Sequence, residues 1–193
     1  AASDVYKRQE LSIISDSAKI NERELIKLAN MHPRVNILEP GPGVGGHCIA
    51  VDPYFIISDF PQNTKLISTS RQVNIDKTNW CIDTIKKTIN NFKVKNNRNP
   101  IISFLGLAYK PDIDDTRESP ANYIAKEIKD IYGDFKMFFV DPNLKTHETF
   151  VITSLNNSLK TSDIIIILVN HKEFQYLKTK SNQILIDFVG IRK

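Results

Sequence analysis

A chain of 193 residues with 41% hydrophobic content and a net charge of +4 can bury one good core with a helical appendage beside it. No apolar run reaches membrane-spanning length and no secretory leader is visible, so a soluble cytoplasmic protein with no membrane partner is expected. Two cysteines, Cys48 and Cys81, do not make a disulfide framework.

Leu11, Ile14 and Ala18 recur at helical spacing, and Asn21 with Glu24 predicts the cap of a short helix through Ala29. Val35 to Leu38 has the makings of a short strand, but Glu39 and Pro40 separate it from the glycine run that follows. That run, Gly41 to Gly46 followed by His47 and Cys48, is the most informative stretch of the chain. Glycines let backbone approach a ligand where a side chain would clash. A cysteine at their end is a candidate nucleophile, because thiols react wherever dipoles or charges favour the thiolate. Asp52 places a carboxylate four residues on.

Gly41, Gly43 and Gly46 also match the spacing of the dinucleotide fingerprint, which needs a strand directly before it and a helix directly after. Pro53 argues against a helix running through Asp52, and no carboxylate follows at about twenty residues, so a dinucleotide loop is rejected. His47 adjoins Cys48, but no second histidine or cysteine lies at ligand spacing, and no metal is expected. A cysteine peptidase would need a distant partner such as His147 or His171, and nothing local selects either.

From Thr64 to Phe92 the pattern predicts one long helix, with Leu66, Ser70, Val73, Ile82, Ile85, Ile89 and Phe92 on its inner face and Cys81 as a small buried side chain. Lys86, Lys87, Lys93, Lys95 and Arg98 cluster near its end without interleaved aromatics. They suit a solvated face, not nucleic acid. Asn96 to Pro100 is a polar linker.

The second half is α/β. Ile101–Leu105, Lys136–Val140, Asp163–Val169 and Gln183–Phe188 are strand-like runs. Ser119 with Pro120 starts a helix whose inner face is Ile124, Ile128 and Ile131 and which Gly133 stops. Near-continuous apolar strands alternating with helices predict a parallel sheet covered on both faces, with ligands at the carboxyl ends of its strands. The loop from Gly106 to Thr116 lies at such an end. Lys110 and Arg117 there flank Asp112, Asp114 and Asp115 ahead of a helix N-terminus. Helix amides with a guanidinium make a phosphate site; equally, these charges can pair with one another and cap the helix. Spacing leaves both open.

The segment from Met31 to Ile56, with its His32-Pro33-Arg34, Gly45-Gly46-His47-Cys48 and Asp52-Pro53, resembles the active-cysteine segment of the UDP-glucose/GDP-mannose dehydrogenase superfamily. Leu105 to Ala121 is similar to the signature that opens that superfamily's C-terminal UDP-binding domain. The two lie in the superfamily's order and spacing, and the resemblance runs from about Glu10 almost to the C-terminus. His47 stands where UDP-glucose enzymes carry serine. This form looks most like the branch acting on UDP-N-acetyl-D-mannosamine, with UDP-N-acetylglucosamine 6-dehydrogenases as the alternative.

The resemblance implies a helical central and dimerisation segment whose long helix connects to a Rossmann-like, parallel-sheet UDP-binding domain, assembled as a homodimer. It implies a two-step oxidation of a sugar C6 alcohol with NAD as cofactor, Cys48 as the nucleophile and Asp52 as its hydrolytic aspartate. Gly43, Gly45, Gly46, His47, Lys110 and Arg34 would then serve the UDP-sugar, and Arg117 the NAD pyrophosphate. Members also begin with an NAD-binding Rossmann domain and carry a catalytic lysine and asparagine upstream of this match. The chain therefore reads as the central (10–97) and C-terminal (98–193) portion of a longer enzyme, inactive by itself. Residues 1–9 look like a scar or junction with unrelated sequence. The competing class is a nucleotide-sugar-binding and dimerisation module with no turnover.

Overall fold

The computed structural model describes residues 2–191. Its first half is helical: α1 (Ala2–Ala18), α2 (Glu22–Ala29), α3 (Asp52–Asp59) and the long α4 (Lys65–Asn96). Residues 2–9, set apart on sequence, form the first part of α1, where Tyr6 and Gln9 are buried at helical spacing with Ser12. Asn21 caps α2 as expected, its side chain accepting from the amides of Arg23 and Glu24.

Two local expectations fail for identifiable reasons. Val35 to Leu38 is not a strand: the Asn30 side chain accepts from the Ile37 amide and donates to its carbonyl, replacing a strand partner. Downstream, a helix does form directly at Asp52. Pro53 sits in its first turn, where a missing N–H costs nothing.

Helix α4 is 32 residues long, roughly 48 Å at the α-helical rise. It runs one turn past Phe92 and ends on Asn97 in the left-handed conformation, φ 49°. Its buried face changes character along its length. Arg71, Asn74, Lys77 and Thr78 are buried in the first part, and Cys81, Ile82, Ile85, Ile89 and Phe92 in the second. Burial pushes the Cys81 thiol up to about 12. Leu66, expected inside, is 71% exposed. Where α4 meets α1, the Lys77 ammonium donates to Ser12 Oγ at 2.6 Å and lies 3.7 Å from the centre of the Trp80 ring. Burial lowers the pKa of this lysine against the pull of Cys81, Glu22 and Asp16.

The second half is a four-stranded, all-parallel sheet in the order β2-β1-β3-β4, from β1 (Ile102–Leu105), β2 (Met137–Val140), β3 (Ile164–Ile167) and β4 (Ile184–Asp187). Ile102, Phe104, Ile164 and Ile166 face the second part of α4 and helix α5 (Pro120–Ile131). Leu105, Ile165 and Ile167 face the other way, toward Leu155 and Leu159 of α6 (Leu155–Thr161) and toward Phe174. All four residues of β3 are fully buried, which is why that strand reads as unbroken isoleucine. Each such side chain contributes about 2 kcal/mol by burial. Arg98, from the basic cluster, forks onto Asp163 with two bonds of 2.7 Å and is not an open nucleic-acid contact.

Ser119 caps α5 through the Asn122 amide, with Pro120 in the first turn. Ile124 and Ile128 enter the core as expected, but Ile131 is 48% exposed. The helix stops there, with Tyr132 rather than Gly133 as its cap.

Candidate active site

In a sheet ordered β2-β1-β3-β4, the connections from β1 and β3 leave in opposite directions and open a crevice between their carboxyl ends. A cleft of about 310 Å³ lies there. Residues 108–111 wall it after β1, residues 168–170 after β3, and residues 39–43 of the glycine loop close it from the first half. Arg8 of α1 also lines it and donates to the Glu39 carbonyl. Arg23 holds the Glu39 carboxylate. Asn170 brings a side-chain oxygen that is buried without a hydrogen-bond partner, an acceptor that a ligand hydroxyl or N–H can satisfy.

Helix α4 fixes the glycine loop. Asn74 grips Val44 at both ends of its peptide groups, accepting from its amide at 2.7 Å and donating to its carbonyl at 3.1 Å. One turn on, Thr78 Oγ1 donates to the Pro42 carbonyl at 3.0 Å. Asn74→Ala leaves both Val44 groups without these partners. We expect a loss of roughly 1–3 kcal/mol, read as a lower urea midpoint at unchanged m-value.

The glycines themselves make a contact the sequence did not suggest. A Cβ on Gly45 would lie 2.2 Å from the Glu118 carbonyl oxygen and 2.8 Å from Pro120 Cδ. On Gly43 it would lie 2.8 Å from Pro120 Cγ and 2.9 Å from Thr78 Oγ1. Gly46, at φ +92°, lies against the Tyr109 ring. Their close approach is to the β1–α5 loop and α4, so that the two loops flanking the cleft are seated on each other.

The residues singled out on sequence fall into three places. Lys110 and Gly43 line the cleft. His47, Cys48 and Asp52 form an exposed stretch just beyond it. There the Cys48 carbonyl accepts from the amides of Val51 and Asp52, leading the chain into α3. Arg34 lies exposed in the turn after α2, and neither it nor the His47–Asp52 stretch lines the cleft.

The acidic loop resolves largely into internal pairs. The Arg117 guanidinium clasps Asp115, at 2.6 Å from Nη2, and helps hold that carboxyl near pKa about 2. Asp112 accepts from the Lys172 amide and pairs with its ammonium at 3.1 Å, and these bonds lower its pKa. Arg117 keeps 68% of its side chain exposed, and Lys110 carries no ion pair among the described residues.

Two groups that sequence reasoning passed over shape the loop. Asp141, at the carboxyl end of β2, is buried and accepts from the amides of Leu107 (2.8 Å) and Ala108 (3.1 Å). Burial pushes its pKa up, but His171 and the Leu107 and Asn143 amides outweigh it and the net shift is downward. In dinucleotide domains an acid at the end of the second strand reads the ribose; here that position is turned inward. His171, fully buried, bonds Asp141 through Nε2 and receives the Asp112 amide at Nδ1. With both nitrogens engaged, it has none left for Cys48. The same holds for the grouping of Asp112, His171 and Glu173, whose spacing would suit a metal ion.

An open parallel α/β sheet with its cleft at the strand-order switch point places the chain in the doubly wound class, whose ligands bind in that crevice. Comparison with known proteins identifies the particular family. The model of the UDP-glucose/GDP-mannose dehydrogenase family central domain matches residues 3–76, and that of the family's UDP binding domain matches residues 103–193. The chain belongs to the UDP-glucose/GDP-mannose dehydrogenase family. It is 47% identical over 172 residues to the UDP-N-acetyl-D-mannosamine dehydrogenase of Campylobacter jejuni, a match covering 86% of this chain and 41% of that protein. With the enzyme of the same name from Escherichia coli K12 it shares 42% identity over 192 residues, 94% of this chain and 46% of the relative. The solved UDP-D-ManNAc dehydrogenase of Pyrococcus horikoshii superposes with a TM-score of 0.84 at 30% identity, covering 100% of this chain and 46% of that one. The chain thus spans less than half the length of the relatives it matches.

Proposed function

We propose that this chain is the central and C-terminal portion of an NAD-dependent dehydrogenase that oxidises the C6 alcohol of UDP-N-acetyl-D-mannosamine to the carboxylate. The product, UDP-N-acetyl-D-mannosaminuronate, is a precursor for cell-surface polysaccharide, made in the cytoplasm. One observation carries this: the switch-point cleft is walled on one side by the Lys110 loop and on the other by the glycine loop that continues to Cys48. A nucleotide diphosphate in the cleft meets the Lys110 ammonium, and its sugar extends along Gly43–His47 toward the exposed thiol.

Bound NAD supplies the hydride acceptor, twice per turnover, and Arg117 is the residue here that fits its pyrophosphate, being exposed and fixed by Asp115. The Cys48 thiolate adds to the C6 aldehyde carbon, and the oxygen takes up a proton to give a thiohemiacetal. Loss of the second hydride to the cofactor and of the hydroxyl proton to water leaves a thioester on Cys48. Water, its proton taken by Asp52, then displaces the sulfur and frees the carboxylate. A thiol is suited to this because it holds the reactive aldehyde covalently while presenting a new C–H bond for oxidation. Arg34, outside the cleft of its own chain, suits a contact to substrate in a neighbouring subunit. The exposed Phe55, Ile56, Phe60 and Leu66 of α3 and early α4 support a homodimer through that face. The chain divides near residue 97 into central and nucleotide units, and by itself it binds without turnover.

Calorimetric titration of this chain with UDP, UDP-N-acetyl-D-mannosamine and NAD is the test. Saturable binding of the first two is expected, with none of NAD. Lys110→Ala should weaken UDP binding by roughly tenfold, about 1.4 kcal/mol. Absence of UDP binding by the folded chain would overturn the assignment.

A further inference from the structure

We propose that His171 is the positioning residue of the nucleotide loop: bridging Asp141 and Asp112, it locks the backbone on both sides of Lys110. The inference rests on the assignment of the switch-point cleft to a nucleotide. Lys110 sits between two anchored points. On one side, the Leu107 and Ala108 amides donate to Asp141 Oδ2. On the other, the Asp112 amide donates to His171 Nδ1 at 3.0 Å. The ring joins the two, its Nε2 lying 3.2 Å from the same Asp141 oxygen.

The chemistry fixes the tautomer. An amide N–H only donates, so Nδ1 accepts and the ring proton sits on Nε2, directed at the carboxylate. Asn143 supports the arrangement twice, its side-chain nitrogen 3.0 Å from His171 Nδ1 and its amide donating to Asp141 Oδ1.

The backbone conformation shows that the loop needs such a lock. Asp112 is held at φ +59°, a left-handed conformation that a non-glycine residue adopts at a cost. The loop also begins at Gly106, φ +90°, where a Cβ would lie 2.4 Å from Val169 Cβ. Without the imidazole, the Asp112 amide and the Asp141 carboxylate each lose a buried partner. The segment carrying Lys110 is then tied only by the Asp112 carboxylate to Lys172 and by the Tyr109 amide to the Asp115 carbonyl, and it leaves the left-handed turn more readily, taking the ammonium from the cleft wall with it. His171 lines no part of the cleft, so it acts through the loop and not on the ligand.

Amide hydrogen exchange on this full chain, together with UDP titration, tests the latch. In the wild-type protein the amides of Leu107, Ala108 and Asp112 should be protected and open together. Free exchange of Asp112, as in an open surface loop, would overturn the proposal without any variant. In His171→Leu these three amides should lose protection together while Val44, held by Asn74, keeps its own, and UDP affinity should fall about tenfold or more. His171→Gln, which retains one acceptor and one donor, should recover most of the affinity. A core variant such as Ile128→Val, far from the loop, should lower the melting temperature yet bind UDP as the wild type does. Unchanged UDP affinity and loop protection in His171→Leu would sink the latch. Failure of the wild type to bind UDP, with the three amides still protected together, would instead count against the nucleotide assignment.

Discussion

Replacing Cys48 with serine should abolish carboxylate formation by the intact protein. With UDP-N-acetyl-D-mannosamine and NAD, the rate of NADH production should fall by roughly 10³-fold or more, the scale on which removal of a covalent nucleophile acts. Serine keeps the size and exposure of the side chain, and the loop is held at Val44 and Pro42 by α4, not by the thiol. The loss should therefore be chemical: the variant should melt with the wild type and bind UDP with unchanged affinity, because the cleft residues are elsewhere. A hydroxyl cannot carry the aldehyde through to a thioester, so any residual turnover should stop at or before the aldehyde. Steady NADH formation through to the uronate would exclude the covalent route and reduce the glycine loop to a binding element.

The second large effect concerns Gly45. Alanine there places a methyl 2.2 Å from the Glu118 carbonyl oxygen, a backbone atom that cannot swing aside. Glu118 is itself held at φ +48° beside the Ser119 cap, and Ser119 Oγ donates to the Leu107 carbonyl. Displacement of the glycine loop thus meets a chain of fixed groups. We expect Gly45→Ala to cost roughly 3 kcal/mol, visible as a lower thermal midpoint, and to weaken UDP binding because both walls of the cleft shift. Gly41→Ala is the matched control: nothing lies within 4 Å of its Cβ, so stability should stay within about 1 kcal/mol of wild type. Equal effects of the two substitutions would mean that the loops are not seated on each other.

The features legible in the sequence were those whose cause is local. The four strands announced themselves because a sheet covered on both faces demands apolar residues at every position, as in the isoleucine run of β3. Ser119 and Pro120 marked the start of α5 because capping is decided within one turn. Lys110 could be placed at the cleft because it follows β1 directly. What stayed hidden depends on residues far apart in the chain. His171 and Asp141 are separated by two elements and meet only because β2 and β3 flank β1. Asn74 gave a fainter signal: Arg71, Asn74, Lys77 and Thr78 form a polar stripe on the very face that turns apolar at Cys81. A polar stripe on a buried helix face has partners to satisfy, and here those partners are the glycine loop and α1. The packing of the glycines stayed hidden for the same reason. Their spacing shows that something comes close, but not that Pro120 and Glu118 are among the groups that do.

Helix α4 acts as a gauge block for the whole site. Its first part grips the cysteine loop at Asn74 and Thr78, and its second part beds into the sheet that carries Lys110. The separation between Cys48 and the Lys110 wall of the cleft is thus set by a rigid rod and not by the pliable loops that bear them. Phase matters as much as length. One residue added between Thr78 and Ile82 would turn one grip by about 100° relative to the other, carrying Asn74 off its loop or Ile85 off the sheet. The span between the two grips is therefore the part of this chain least able to vary in length, although no residue within it touches the cleft.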